Sequence, residues 1–179
     1  MENVSQCSFP RLNEPAPSFS ARTTYGDRKL EDYRGKWLIL FSHPADFTPV
    51  CTTEFIGFAQ AAPRFAEMGC ELLGLSIDSL FSHLAWVRNI KEKFGVEIPF
   101  PIIEDPSMAV ARAYGAVCTP DFFGFNAHLQ LQYRGRLDDT GRNAPRPDAR
   151  RELFEAMTLV AAGGRGPAEQ TPSIGCSLK

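Results

Sequence analysis

Two short apolar runs, residues 36–42 (KWLILFS) and 71–77 (ELLGLSI), alternate with two segments whose apolar residues repeat at helical spacing. Each run is too short for a helix and rich in strand formers, which marks it as a buried central strand. Between them Thr48 can cap a helix, Pro49 takes its first position, and Phe55, Phe58, Ala59, Ala62 and Phe65 carry the period on to Gly69. Pro63 falls inside that pattern and is expected to kink the helix or split it in two. After the second run, Leu80, Leu84, Val87, Ile90 and Phe94 define a helix over 79–94, closed by Gly95 as its C-cap. Such a β-α-β-α order implies parallel neighbouring strands joined by right-handed crossovers.

The flanking sequence completes the pattern. The first thirty residues, with Pro10, Pro15, Pro17 and Gly26, read as an extended lead-in with a turn at 25–28. A Pro-rich connection (IPFPIIEDP) leads to a short helix over 107–114, stopped by Gly115. Residues 121–126 (DFFGFN) and 129–137 (LQLQYRGRL) read as an antiparallel hairpin with a two-residue connection, Ala127 and His128. A last helix over about 148–162 precedes a Gly-rich tail. The sum is a βαβαββα core, an α/β fold with a central mixed sheet flanked by helices. The expected organisation is one domain over 1–179, with 1–11 and 163–179 as flexible or extended termini; a chain of this length buries roughly 70% of its unfolded surface.

Charge and cysteine usage narrow the function. A net charge of -2 with 22% charged residues offers no one-sided basic surface for a phosphate backbone, so nucleic acid is not expected as a partner. No stretch approaches the roughly 20 apolar residues of a membrane span, and the N-terminus MENVSQCSFP lacks the features of a signal peptide, so a cytoplasmic location is expected. Five cysteines (Cys7, Cys51, Cys70, Cys118, Cys176) form an odd set in a chain large enough to need no staples. At least one thiol is therefore expected to carry chemistry. Without a C-x-x-C or a helical H-x-x-x-H, three scattered histidines form no metal-ligand set, and neither metal nor bound cofactor is expected.

The segment 43–54 (HPADFTPVCTTE) joins the first strand to the first helix, where a parallel α/β sheet presents ligand sites and helix N-termini present unpaired N–H groups. With Thr48 as N-cap, Cys51 is the third helical residue, the place a capping box gives to a carboxylate. A thiolate can substitute for it, held by backbone N–H groups and the Thr48 hydroxyl, with its pKa below the ordinary value of about 8.5. Depression to about 6 multiplies the thiolate fraction at pH 7 about 30-fold, but lower nucleophilicity removes roughly 10 to 15-fold of that. Most acceleration must then come from positioning a substrate and from donors to a departing oxygen.

The string Pro44-x-x-x-Thr48-x-x-Cys51 resembles the P-x-x-x-T-x-x-C motif of peroxiredoxins, the alkyl hydroperoxide reductase and thiol-specific antioxidant family. FSHPADFTPVCTTE is similar to their one-cysteine subgroup, and the likeness extends through LLGLSIDS, HLAW and IPFPIIED, over roughly 12–115. The resemblance implies a thioredoxin-like fold. It implies that Cys51 attacks a hydroperoxide and becomes a sulfenic acid, that Thr48 orients the peroxide and that Pro44 shields the sulfur. It also implies an external thiol reductant (thioredoxin, glutaredoxin or glutathione) and a homodimer.

Beyond Gly115 the pattern departs from that family. Where peroxiredoxins place a catalytic arginine this chain has Pro120, and CTPDFFGF looks more like thioredoxin-like redoxins, whose cis-proline faces the active cysteine. Arg134, Arg136 and Arg142 are the replacements within reach; Arg142, in TGRN, resembles a second arginine of the one-cysteine subgroup. Cys118, two residues before Pro120, and Cys176, on the tail, are candidate resolving thiols. His43 adjoins the site, either bonding near the sulfur or satisfied within its loop. Cys70 reads as core and Cys7 as incidental. A thiol-disulfide oxidoreductase or redox sensor using the same cysteine, and a binding protein with a vestigial site, are the rival readings.

Overall fold

The computed structural model describes residues 9–116, 118–140, 146–174 and 176–177, and of Val50, Cys51, Cys118, Cys176 and Ser177 the backbone alone. Its centre is a five-stranded mixed sheet in the order β5-β4-β3-β7-β8. Strands β3 (Trp37–Ser42), β4 (Cys70–Ser76) and β5 (Ile102–Glu104) run parallel, while β7 (Asp121–Phe125) and β8 (Leu131–Gly135) complete it antiparallel. A two-residue ribbon, β1 (Ser20–Ala21) with β2 (Arg28–Lys29), precedes it around the turn expected at 25–28. A second ribbon pairs β6 (Cys118–Thr119) with β9 (Cys176–Ser177).

Both faces of β3 are buried, which is why its sequence is a continuous apolar run. Ile39 and Phe41 enter a cluster with Phe55 and Phe58 of α1 (Pro49–Glu67), Trp86 and Ile90 of α2 (Leu80–Phe94), and Leu153 and Met157 of α4 (Glu152–Gly163). Leu38 and Leu40 enter the opposite cluster, with Leu73, Phe123, Ala111 of α3 (Ala109–Ala113) and Tyr114. The central residues of the sheet are therefore fixed from both sides, and so is the end of β3, from which α1 departs.

Several local expectations change. Helix α1 runs unbroken through Pro63 rather than splitting there. Its apolar face, including Phe58 and Phe65, is packed on the sheet, and that burial outweighs the one backbone hydrogen bond proline removes. The Pro-rich connection contains β5, whose Ile102 and Ile103 are fully buried; three residues give too short a period to register. The β7–β8 connection is longer than two residues because Asn126 organises it: its side-chain Oδ1 accepts from the His128 and Gln130 amides at 3.0 Å each, and Leu129 takes φ +60°. Gly95 closes α2 with φ +66° in the left-handed region, as its place in the sequence requires.

Truncating Ile39, which is wholly buried at the middle of the sheet, tests whether this face carries the stability. Ile39→Ala is expected to cost about 2–5 kcal/mol, read as a lower urea midpoint with an unchanged slope.

Candidate active site

The loop from β3 to α1 starts at His43 and ends at Thr48, the N-cap, whose φ -80° and ψ 140° are extended, with Pro49 at the first helical position. Cys51 is thus the third residue of α1 at the carboxyl end of a central parallel strand, where backbone N–H groups lack intrahelical partners. The Thr48 hydroxyl donates to the Ala45 carbonyl at 3.1 Å and makes no cap bond to the helix, while the Thr48 carbonyl accepts from the Thr52 amide and hydroxyl at 2.9 and 2.8 Å. Indole Nε1 of Trp86 donates to Thr52 Oγ1 at 3.1 Å, tying α2 to the first turn of α1.

Beneath this turn lies a cluster that the sequence left dispersed. His43 Nε2 is 2.9 Å from Asp46 Oδ1, and His83 Nδ1, on α2, is 2.7 Å from Asp46 Oδ2; all three side chains are at most 2% exposed. His83 Nε2 lies 3.2 Å from the Ile103 carbonyl on β5. The Asp46 amide donates to Asp78 Oδ2 at 2.6 Å. Burial alone would raise the Asp46 carboxyl, but the hydrogen bonds from His43 and His83 outweigh it and hold it down to about 2. Burial pushes the His43 imidazole down against the opposing pull of Asp46, which favours its neutral form. Its ring packs against Phe55 and Trp86, with centroids at 4.7 and 5.1 Å. Among the described residues, these three side chains are also the set whose ligand atoms, all within 4.8 Å of one another, could meet on a metal ion. Proximity of Asp46 and His83 was not legible from spacing: they are 37 residues apart, and only their burial in the fold unites them.

A cavity of about 20 Å³ beside the cluster is lined by Ser42, His43, Glu54, Phe55, Pro120 and Leu137, among others. The Thr119–Pro120 peptide bond is cis, as the likeness of CTPDFFGF to redoxins implies, and Pro120 lies on the same side of the sheet as His43. Burial raises the Glu54 carboxyl, and the charge of Asp138 raises it further. The turn around Leu137 and Asp138 therefore abuts α1 one turn beyond Cys51.

Of the other candidates, Pro44 is half-buried in the loop. Arg136 is forked onto Glu152 at 2.6 and 3.0 Å, and Arg134 donates to the Gly115 carbonyl with its guanidinium 5.2 Å from the Phe123 ring centroid. Arg142, Cys7 and the side chains of Cys51, Cys118 and Cys176 lie outside the described residues. The backbone register sets Thr119 opposite Cys176 and Cys118 opposite Ser177, so the two candidate resolving positions share one ribbon. Cys70 is a free, buried thiol pushed up to about 12 by burial and then by the Glu71 charge, in keeping with a core role. No helix among the described residues is long and apolar enough to cross a membrane.

Comparison with known proteins agrees with this geometry. Residues 12–137 match the model of the AhpC/TSA family. A peroxiredoxin of Aquifex aeolicus is 61% identical over 111 residues, covering 62% of this chain and 50% of that protein, and one of Thermoplasma volcanium is 58% identical over 106 residues, covering 59% and 52%. The chain spans about half the length of the curated relatives it matches. Among solved structures, a yeast mitochondrial 1-Cys peroxiredoxin superimposes with TM-score 0.69 at 32% identity, covering 90% of this chain and 83% of the other. A cysteine-to-serine mutant of peroxiredoxin 6 of Arenicola marina gives 0.70 at 28% identity, covering 90% and 80%. The fold is thioredoxin-like, as these neighbours require.

The Asp46 cluster makes stability depend on pH in a defined direction. A carboxyl held at about 2 when folded, against 3.8 when free, contributes stability that is complete above the free value and lost as pH falls through the folded one. His43, lowered from 6.5, adds a loss beginning below 6.5, because the unfolded chain takes up a proton that the folded chain refuses. Asp46→Asn should be less stable than the parent at pH 7 by about 3–5 kcal/mol. Urea titrations should show that deficit shrinking by about 2 kcal/mol between pH 5 and pH 2; an unchanged deficit would show that Asp46 is not held ionised by its partners.

Proposed function

Because the chain belongs to the AhpC/TSA family, we propose that it is a thiol-dependent peroxidase that reduces hydrogen peroxide and small organic hydroperoxides through a sulfenic acid at Cys51. The observation that carries this reading is the helix start at the carboxyl end of β3: Thr48 at the N-cap, Pro49 at the first position and Cys51 at the third. Unpaired amides there favour the thiolate, which attacks one peroxide oxygen. The O–O bond breaks, the departing oxygen takes up a proton and leaves as water or an alcohol, and Cys51 becomes Cys–SOH. Thr48 orients the peroxide, Pro44 limits water at the sulfur, and His43 offers a neighbouring acceptor. No bound cofactor enters the cycle.

Arg142 is the cation we assign to the departing oxygen. Support comes from the turn just before it, which abuts α1 at Glu54, whereas Arg136 is already engaged by Glu152. Reduction of the sulfenic acid falls to an external thiol, from thioredoxin, glutaredoxin or glutathione, or first to Cys118 or Cys176, a reading supported by their sharing one ribbon whose first strand leads into Pro120. The yeast mitochondrial neighbour is itself resolved through glutathione and thioredoxin systems. We further assign the protein to the cytoplasm, in keeping with an odd number of cysteines and a free buried Cys70. A homodimer would cover the apolar surface of Phe47, Phe81 and Leu84, which are 52%, 76% and 42% exposed around the loop.

Purified protein should consume hydrogen peroxide far faster than a small disulfide, and Cys51→Ser should abolish consumption. Arg142→Gln should slow it by about 100-fold or more. Intact mass after one equivalent of peroxide, with Cys118→Ser and Cys176→Ser compared, reads a gain of about 16 Da for an unresolved sulfenic acid against a loss of about 2 Da for a disulfide. Peroxide consumption that survives Cys51→Ser would end the proposal.

A further inference from the structure

The hydrogen bonds of the His43, Asp46 and His83 cluster leave one atom over. The Ile103 carbonyl can only accept, so His83 Nε2 carries a proton, and the 2.7 Å contact with the ionised Asp46 carboxylate requires a second proton on Nδ1. His83 is therefore an imidazolium, paired in the core with Asp46. A second proton on His43 would set two cations against one buried carboxylate, so His43 keeps a single proton, on the Nε2 that faces Asp46 Oδ1 at 2.9 Å. Its Nδ1 is then a bare lone pair, buried and without a partner among the described residues. Contacts of 2.7 and 2.9 Å are hydrogen-bond spacings, tighter than the roughly 3.3 Å edge of a tetrahedral zinc site, so the cluster is arranged around protons rather than an ion.

An orphaned acceptor of this kind costs stability, and such atoms call for an explanation. Its place supplies one. The His43 ring packs on Phe55, which lies one helical turn beyond Cys51 along the same face of α1, and on Trp86, which bonds Thr52, the neighbour of Cys51. We propose that His83 is a positioning residue of the Cys51 site, acting through Asp46: the imidazolium fixes the carboxylate, the carboxylate fixes the proton of His43 on Nε2, and Nδ1 is thereby kept as a proton acceptor beside the first turns of α1.

This rests on the peroxidase reading. The proton released as the Cys51 thiol ionises passes to Nδ1, where the thiolate left behind is the second anion that the second imidazolium needs, and is returned to the departing oxygen as the O–O bond breaks, so His43 ends the step neutral, Cys51 is oxidised to Cys–SOH and the peroxide is reduced to water or an alcohol. The other charged groups facing the cluster are Asp78, which accepts from the Asp46 amide, and Glu104, at the end of β5, which accepts from the Leu80 amide at the start of α2 and pairs with Arg22. Neither bonds a histidine ring, so neither sets the tautomer.

Nitrogen NMR of the reduced, 15N-histidine-labelled full chain reads the arrangement directly. The expected result is His83 protonated on both nitrogens and His43 on Nε2 alone; a proton on His43 Nδ1, or a singly protonated His83, overturns the proposal without any variant. In His83→Gln and Asp46→Asn the His43 proton should redistribute between its two nitrogens. Peroxide consumption at pH 7 should fall by at least about 10-fold, and the acid limb of the rate–pH profile should move to higher pH. Iodoacetamide labelling of Cys51, read by peptide mass, should slow in parallel and needs no peroxidase activity. A parent protein inert to peroxide but showing both the expected protonation and slower labelling in the variants would sink the peroxidase reading and leave the positioning role standing. An active parent whose variants keep its rate, labelling and pH profile would sink the positioning role alone.

Discussion

A helix that presents a reactive side chain at its first turn is only as well placed as the loop that feeds it. Here the loop is held by one buried carboxylate, Asp46, which accepts from His43 within the loop and from His83 on α2. His83 passes the restraint on to β5 through the Ile103 carbonyl, so strand, loop, helix and neighbouring strand meet on three polar side chains. Burying a charge is costly unless its partners are complete, and breaking such a pair costs about 3–5 kcal/mol. Set against a total stability of about 5–15 kcal/mol, that makes the loop conformation close to obligatory for the folded state.

Around that polar knot the packing is aromatic. Phe41 contacts Phe55, Phe58, Phe100 and Phe122 at centroid distances of 4.7–5.8 Å, and Phe55 carries the series on to Trp86 and His43. Most of these rings meet tilted or edge-on, the arrangement their quadrupoles favour. The abundance of phenylalanine is thus a property of the core between sheet and helices. It also gives the His43–Asp46–His83 cluster low-dielectric walls, within which a fixed proton arrangement has more electrostatic consequence than it would in water.

The parts legible in the sequence are those with strong local signals. Thr48 and Pro49 announced the start of α1, Gly95 the end of α2, and the unbroken apolar runs the doubly buried strands β3 and β4. The cis bond at Pro120 was legible by likeness alone. What escaped was non-local. Asp46 reads as one more loop acid and His83 as one polar residue in an amphipathic helix; no spacing rule joins positions in different elements, and their meaning comes from burial at 1% and 0%. Strand β5 escaped for a different reason, since proline on either side of a three-residue strand masks the signal that its complete burial would otherwise give.

Beyond β7, Arg134, Arg136 and the tail are engaged structurally. The segment after α4 runs along the outer edge of β8: the Arg134 amide donates to Gln170, the Arg136 amide to the Thr171 carbonyl, and Ser173 to the Gly135 carbonyl. That covering satisfies an edge that would otherwise present unpaired backbone groups. It also fixes the strand on which Arg134 and Arg136 stand, each with its guanidinium already bonded. Meanwhile Glu54 and Asp138 bring two acids together at the flank of the site, with Glu54 raised by burial and by its neighbour. Two carboxyls in that relation favour a cation between or beside them, because a positive charge relieves both at once. Along the chain, the arginine that follows Asp138 most closely is Arg142, the residue proposed above to meet the departing oxygen.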